Sequence, residues 1–402
     1  MWTMFFRDQT KKSSDLLSYI NIFGFFIIGL SMFFAYFSAS ALFGVNSFLV
    51  IGFILVSVSS FIEKANRARK VISVLILILI VIYYNLFSGD LFETAITKDI
   101  LLTWISLAFL TGVWKIKLGN FHIKAIKFLL ILALTVLCLS YFGFRVIFPV
   151  ATKLDFTNSN FIGLCAVLLA MLSLKYFDDL TIRSSMIGIF CFLIAIAGAF
   201  ASSSRVAMIV TGLLFLAAVI TKLMNPKHFR TMLGASFGVV VLFISSFVIF
   251  GSGFGDVFIF IGDQSKHIAS RLDTFITHSP SDFQRVGQIF IISNLLEENL
   301  LFLFLPLHPD DYIGLGKGFS DNSLLELAGY IGFLPSIFVF VILGKRLFQQ
   351  MIRLDALVIL TILLTFNVLL WVPFVALLHM YLLSFPMHRV YTDKNLYSRN
   401  LR

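Results

Sequence analysis

Residues 186–223 read MIGIFCFLIAIAGAFASSSRVAMIVTGLLFLAAVITKL. Two apolar runs, 186–202 and 206–223, are parted by Ser203, Ser204 and Arg205 alone. The hydrocarbon core of a bilayer is about 30 Å thick and a helix rises about 1.5 Å per residue, so a spanning helix takes about 20 mostly apolar residues. Each run approaches that length, and Lys222 is the one charge in either. The pair reads as two membrane helices joined by a short hydrophilic turn.

Outward from this pair the same pattern repeats. Apolar runs between charged punctuation fall at 16–38, 42–62, 71–87, 100–114, 125–148, 161–177, 231–250, 323–343, 356–372 and 373–387. With the first pair they predict an all-α, polytopic integral membrane protein of about twelve transmembrane helices. The last two runs, divided at Pro373, also read as one long helix with a re-entrant piece. Composition agrees: the 402 residues are 59% hydrophobic and 13% charged, with mean hydropathy +0.97. Soluble domains carry about 25% charged residues. Disorder is excluded by 48 phenylalanines and long aliphatic runs. Cys138, Cys165 and Cys191 all sit inside apolar runs, which argues against a disulfide frame or a zinc site.

Lys11 and Lys12 precede the first run and Ala39-Ser40-Ala41 follows it, a pattern resembling a cleaved signal. Its apolar stretch is longer than the roughly 7–15 residues of a signal core, so a retained helix is expected. An even number of spans puts both termini on one side, and positive charge identifies that side as cytoplasmic. So threaded, the inner side holds 23 of the 31 basic residues and the outer side 8. The acidic residues divide 7 and 14, leaving +16 inside and −6 outside, which together give the chain's +10. The basic balance therefore reflects topology, and no nucleic-acid partner is expected.

The spans divide the chain into helices over 1–250, one large outer loop over 251–322, and helices with a cytoplasmic tail over 323–402. Loops of this size are usually functional or carry helices of their own. This one holds His267, His278, His308, Arg271 and Arg285. Ser281-Asp282-Phe283-Gln284 after Pro280 has the form of a capping box, starting a helix toward Leu296. Arg285 then sits in the first turn, the unfavourable dipole end for a cation. Either it answers to an anion or it simply faces water.

Arg145 and Arg205 stand at the outer mouths of apolar helices, where an arginine either faces a cavity or snorkels to the interface. Ser202-Ser203-Ser204 beside Arg205 leaves a guanidinium room. His379 falls mid-span, either as a functional group or as a neutral imidazole bonded to a neighbour. No phosphate-binding G-x-x-x-x-G-K-[ST] loop occurs on the inner side, and Gly314-Leu315-Gly316-Lys317-Gly318 reads as a flexible outer turn. Asp178-Asp179 and Asp310-Asp311 lack further ligands at characteristic spacing, so neither metal nor cofactor is expected.

Three pieces carry a family likeness by order and side. Asn158-Ser159-Asn160 opens an outer helix, Ser202-Ser203-Ser204-Arg205 follows one hairpin later, and Asp321-Asn322-Ser323-Leu324-Leu325-Glu326-Leu327-Ala328-Gly329-Tyr330-Ile331-Gly332 comes after the large loop. Over about Asn158 to Gly332 the chain resembles the O-antigen polymerase and O-antigen ligase superfamily, membrane glycosyltransferases of the GT-C type. The resemblance implies transfer of undecaprenyl-pyrophosphate-linked oligosaccharides at the periplasmic face of a bacterial inner membrane. It also implies lipopolysaccharide or related polysaccharide biosynthesis, with a chain-length regulator and a flippase as further partners. Ligases carry a His-Asn pair, nine residues and a glycine. Here the gap to Gly332 is kept, but Asp321 stands in the histidine position, which favours a polymerase over a ligase acting on lipid A–core.

The resemblance assigns Arg285, then Arg205 and Arg271, to the departing pyrophosphate, since guanidinium forks bind phosphate bidentately without a metal. Asp321 and Glu326 are the candidate bases for the acceptor hydroxyl, with His278 and His308 behind them. Asn158, Asn160, Arg145 and Asn322 complete the expected substrate contacts. Asp321 also reads as a helix cap, and Glu326 as a charge placed favourably near a helix start. The reading from another class is a transporter or lipid-linked oligosaccharide flippase. That would call for ionisable residues in mid-span, whereas this chain keeps nearly all of them at the outer boundary.

Overall fold

The computed structural model describes most of residues 16–27, 51–58, 67–87, 100–110, 120–147, 159–177, 181–218, 294–297, 300–307, 323–350, 353–365 and 372–384, with a few single positions besides. All regular structure among these residues is helical, and no strand occurs among them. The principal helices are α1 (Arg67–Phe87), α2 (Asn120–Ile147), α3 (Ser159–Phe177), α4 (Ile182–Ser202), α5 (Arg205–Ala218), α6 (Ser323–Ile331), α7 (Phe333–Gln350), α8 (Arg353–Thr365) and α9 (Val372–Ser384). Among the described residues two stretches, Phe121–Ile147 with 27 residues and Ile182–Ser202 with 21, are long and apolar enough to cross a membrane. The chain divides into two compact units.

The first unit takes the segments at 16–27 and 51–58, α2 from Lys127 onward, and α3 to α5. Its middle is α3, buried without interruption from Ile162 to Ser173. Lys127 Nζ lies 4.4 Å from the centre of the Tyr176 ring, so α2 and α3 run in opposite directions. Gly198 of α4 is wedged against Cys138 of α2, whose Sγ would lie 2.8 Å from a Cβ built there. Phe192 stacks on Phe215 with ring centres 5.5 Å apart. The two rings are equally far in sequence from the Ser203-Ser204 turn, so α4 and α5 form an antiparallel hairpin. Gly24 packs on Val56 and the Gly52 carbonyl, which joins the first two helical segments.

Among the described residues, large apolar side chains crowd the outer faces of α1 and α4. On α4 the buried residues are mostly small (Ser185, Gly188, Cys191, Ala195, Gly198, Ala199, Ala201 and Ser202, with Phe192 and Ile194), while Ile187, Phe190, Leu193 and Ile196 face outward. Small residues inside and large apolar ones outside suit a lipid solvent, where close backbone approach rather than hydrophobicity holds helices together. Serine hydroxyls follow the same logic. Ser173 Oγ donates to the Ala170 carbonyl at 2.6 Å and Ser202 Oγ to the Ala199 carbonyl at 2.7 Å. The helix itself thus satisfies groups that water would otherwise solvate.

The second unit holds α1, the segment at 100–110, the start of α2, residues 294–307 and α6 to α9. Among the described side chains of α1, Lys70 and Ser73 are buried, and Val71, Ile72, Leu75, Ile76, Ile78, Leu79 and Ile82 are exposed. Helices α8 and α9 are antiparallel, because Tyr381 near the end of α9 donates to Asp355 Oδ2, near the start of α8, at 2.8 Å. Pro373 occupies the first turn of α9, where its missing N–H costs nothing. The runs divided at Pro373 are therefore two helices rather than one.

The sequence reading needs one correction in this unit. The single run expected over 323–343 is two helices, α6 and α7, broken at Gly332. Gly332 has φ +91, a left-handed conformation that ends α6, and its N–H donates to the Ala328 carbonyl at 2.9 Å. Its own carbonyl accepts from the N–H and hydroxyl of Ser336, at 3.2 and 2.7 Å, and so starts α7. The expected span 231–250, apart from Ser236, and the capping box at Ser281 lie outside the described residues.

Candidate functional site

Between α4 and α5 the chain turns on three buried serines. Ser203 closes α4 in the left-handed region, φ 53 and ψ 21, and its N–H donates to the Phe200 carbonyl at 3.1 Å. Ser202 Oγ accepts from the Ser204 N–H at 3.2 Å while donating back into α4. The Ser204 carbonyl accepts from Met208 N–H at 3.0 Å and opens α5, whose first residue is Arg205. Hydroxyl side chains make this reversal self-contained, so it stays buried without stranding its backbone groups.

The first turns of α3 dock on this reversal. A Cβ at Gly163 would stand 2.8 Å from Ser204 Cβ, 2.9 Å from Ala207 Cβ and 3.1 Å from Ser202 Oγ. Only a glycine allows the two helices so near. Asn160 lies one turn before Gly163 on the same face of α3. Asn160, from one motif piece, thus lies one helical turn from the place where α3 packs on Ser202 and Ser204 of another.

In the second unit Glu326 lies one turn into α6 and is 0% exposed. Tyr330, one turn further on, donates its hydroxyl to Glu326 Oε1 at 2.7 Å. The carboxylate sits at the favourable end of the α6 dipole. Against the end of this helix lie the residues after the short 3-10 turn Leu300–Leu303, which itself packs on α7. Leu307 N–H donates to the Gly329 carbonyl at 3.0 Å, and the Phe304 and Leu305 backbone closes on Gly332 at 2.7–2.9 Å from a built Cβ.

Of the remaining expected site residues, Arg145 is in the last turn of α2, half-buried, where a cation complements the helix dipole. It follows Tyr141 by one turn. Arg205 is described by its backbone position. Asn158, Arg271, His278, Arg285, His308, Asp321 and Asn322 lie outside the described residues. His379 is buried on α9, two residues from Tyr381. Among the described residues no three His, Cys, Asp or Glu side chains gather to hold a metal ion.

Sequence reasoning missed Tyr330, Gly163 and the Asp355–Tyr381 bond. For Tyr330 the signal was present, since Glu326 and Tyr330 are four apart and must share a helix face. For Gly163 the signal was a glycine inside an otherwise bulky apolar run. Asp355 and Tyr381 carry no local sign of each other. Comparison with protein-family models, with curated proteins and with solved structures finds no match to this chain.

Proposed function

We propose that the chain is a multi-pass glycosyltransferase of the bacterial inner membrane, with about twelve spans and both termini cytoplasmic. In this reading it polymerises undecaprenyl-pyrophosphate-linked oligosaccharide repeat units at the periplasmic face. The observation that carries the reading is the close docking of α3 on the Ser202–Arg205 turn at Gly163 and Ser204. The helix that Asn158-Ser159-Asn160 opens thus packs on the turn about forty residues further along that the resemblance also singled out. The large apolar side chains on the outer faces of α1 and α4 support the membrane part of the proposal.

The donor already carries a good leaving group. Catalysis then consists of stabilising negative charge on the departing pyrophosphate and positioning the acceptor hydroxyl at the anomeric carbon. Arg285, Arg205 and Arg271 serve the pyrophosphate, and Asn160 the glycan. Asp321 takes the acceptor proton. Glu326, buried and bonded to Tyr330, supports the helix that follows Asp321. Polymerisation is preferred to ligation because Asp321 replaces the histidine of the ligase pattern.

A deletion strain tests this assignment. It should still attach a single repeat unit to lipid A–core and lose only longer products. Full-length polymer left unattached, with none on core, would make the protein a ligase.

A further inference from the structure

Residues 299–307 read NLLFLFLPL, without a charge, in the last third of the long segment expected to lie in water. Phe302 and Leu307 are buried, but Leu300 is 70%, Leu301 65%, Phe304 63% and Leu305 49% exposed. In water such a tip is a liability. Its backbone has a second property. Phe304 and Leu305 N–H both donate to the Leu301 carbonyl, at 2.9 and 2.8 Å, and Leu307 N–H donates to the Gly329 carbonyl at 3.0 Å. Pro306 has no N–H. From Phe304 to Leu307 no backbone donor needs water, which meets the donor half of the condition for irregular backbone to enter hydrocarbon.

The surroundings continue the apolar surface. Phe304 and Leu305 rest on Gly332, and α7 begins at the next residue. It exposes Leu334, Ile337, Phe338, Val341 and Ile342, a single stripe at helical spacing. We infer that the Leu300–Leu307 turn is embedded in the hydrocarbon of the bilayer beside the first turns of α7. The occupant of its exposed face is the acyl chains of membrane phospholipid. The turn therefore anchors this part of the long segment in the membrane, and the Leu307–Gly329 bond ties it to α6, which carries Glu326. This placement holds whatever reaction the chain catalyses.

Bimane attached to single added cysteines tests the placement, in the full chain reconstituted in phosphatidylcholine vesicles. Leu301→Cys and Phe304→Cys lie on the exposed side, so Phe302 and Leu307 keep their packing. Exposed Glu297→Cys serves as the aqueous control. The unsubstituted chain is the labelling blank, since Cys138, Cys165 and Cys191 are buried. Doxyl-labelled phospholipid should quench bimane at 301 and 304 several-fold more than at 297, with iodide showing the opposite order. Iodide quenching at 301 and 304 equal to that at 297 would place the turn in water and overturn the inference. Protection from both quenchers, with disulfide-linked dimers of Leu301→Cys, would overturn it in favour of a second copy of the chain.

Discussion

Gly163 on α3 and Ser204 in the turn before α5 approach so closely that a Cβ on the glycine would stand 2.8 Å from the serine's own Cβ. Neither atom is the free end of a flexible side chain, so a methyl group there must push two helices apart. Gly163→Ala should destabilise the protein by about 1–3 kcal/mol, the usual cost of overpacking. Gly143 on α2 meets nothing within 4 Å of a built Cβ, so Gly143→Ala should be neutral or stabilising by up to about 1 kcal/mol. Thermal unfolding in detergent compares the two. Equal behaviour would deny the close docking.

Gly332 presents a stronger constraint, because backbone rather than side chain stands where its Cβ would be and φ is +91. Gly332→Ala should cost about 1–3 kcal/mol from conformation alone, before the clash with Phe304 is counted. Ser336→Ala removes one hydroxyl bond and should cost about 0.5–1.5 kcal/mol. Limited proteolysis near residue 304 should therefore accelerate in the first variant and little in the second.

Asp355 and Tyr381 join α8 to α9 through one buried bond. Tyr381→Phe and Asp355→Ala should each destabilise, and the double variant should lose less than the sum, with a coupling of about 0.5–3 kcal/mol. Additive losses in the same unfolding assay would mean that the bond is not formed in the membrane.

Reporter fusions read the topology. Alkaline phosphatase joined after Ser281 should be active and the same reporter after Lys227 inactive, as the 23-to-8 division of basic residues predicts. The reverse pattern would place the long segment in the cytoplasm and remove the site from the periplasmic face.

Helices bounded by polar residues were legible. Ser202 to Arg205 marks a break because hydroxyls and a charge interrupt a continuous apolar run, and both ends fall where the composition changes. The start of α6 at Ser323 was legible for the same reason. The break at Gly332 was hidden because Gly332-Phe333-Leu334 continues the apolar run, although Gly332 followed by Pro335 is a stop and restart signal. The pairing of Asp355 with Tyr381 depends on how α8 folds back on α9, which no local pattern encodes. In the candidate site, residue types were legible and the docking of α3 on the Ser202–Ser204 turn was not. That docking rests on Gly163, whose small size matters only once a partner helix is beside it.

The guanidinium fork separates a phosphate-binding arginine from a solvated one. Arg285→Lys keeps the charge but loses bidentate geometry, so polymer formation should fall steeply while the amount of protein in the membrane is unchanged. Near-normal polymer from both Arg285→Ala and Arg205→Ala would remove these residues from the site.

The most direct measurement incubates the purified, detergent-solubilised protein with undecaprenyl-pyrophosphate-linked repeat units and resolves the products by size. The account predicts a ladder of lipid-linked oligomers that grows with time and is lost in Asp321→Asn and Arg285→Ala. Unchanged single units, from protein that is folded by its unfolding transition and supplied with the strain's own repeat unit, would contradict it.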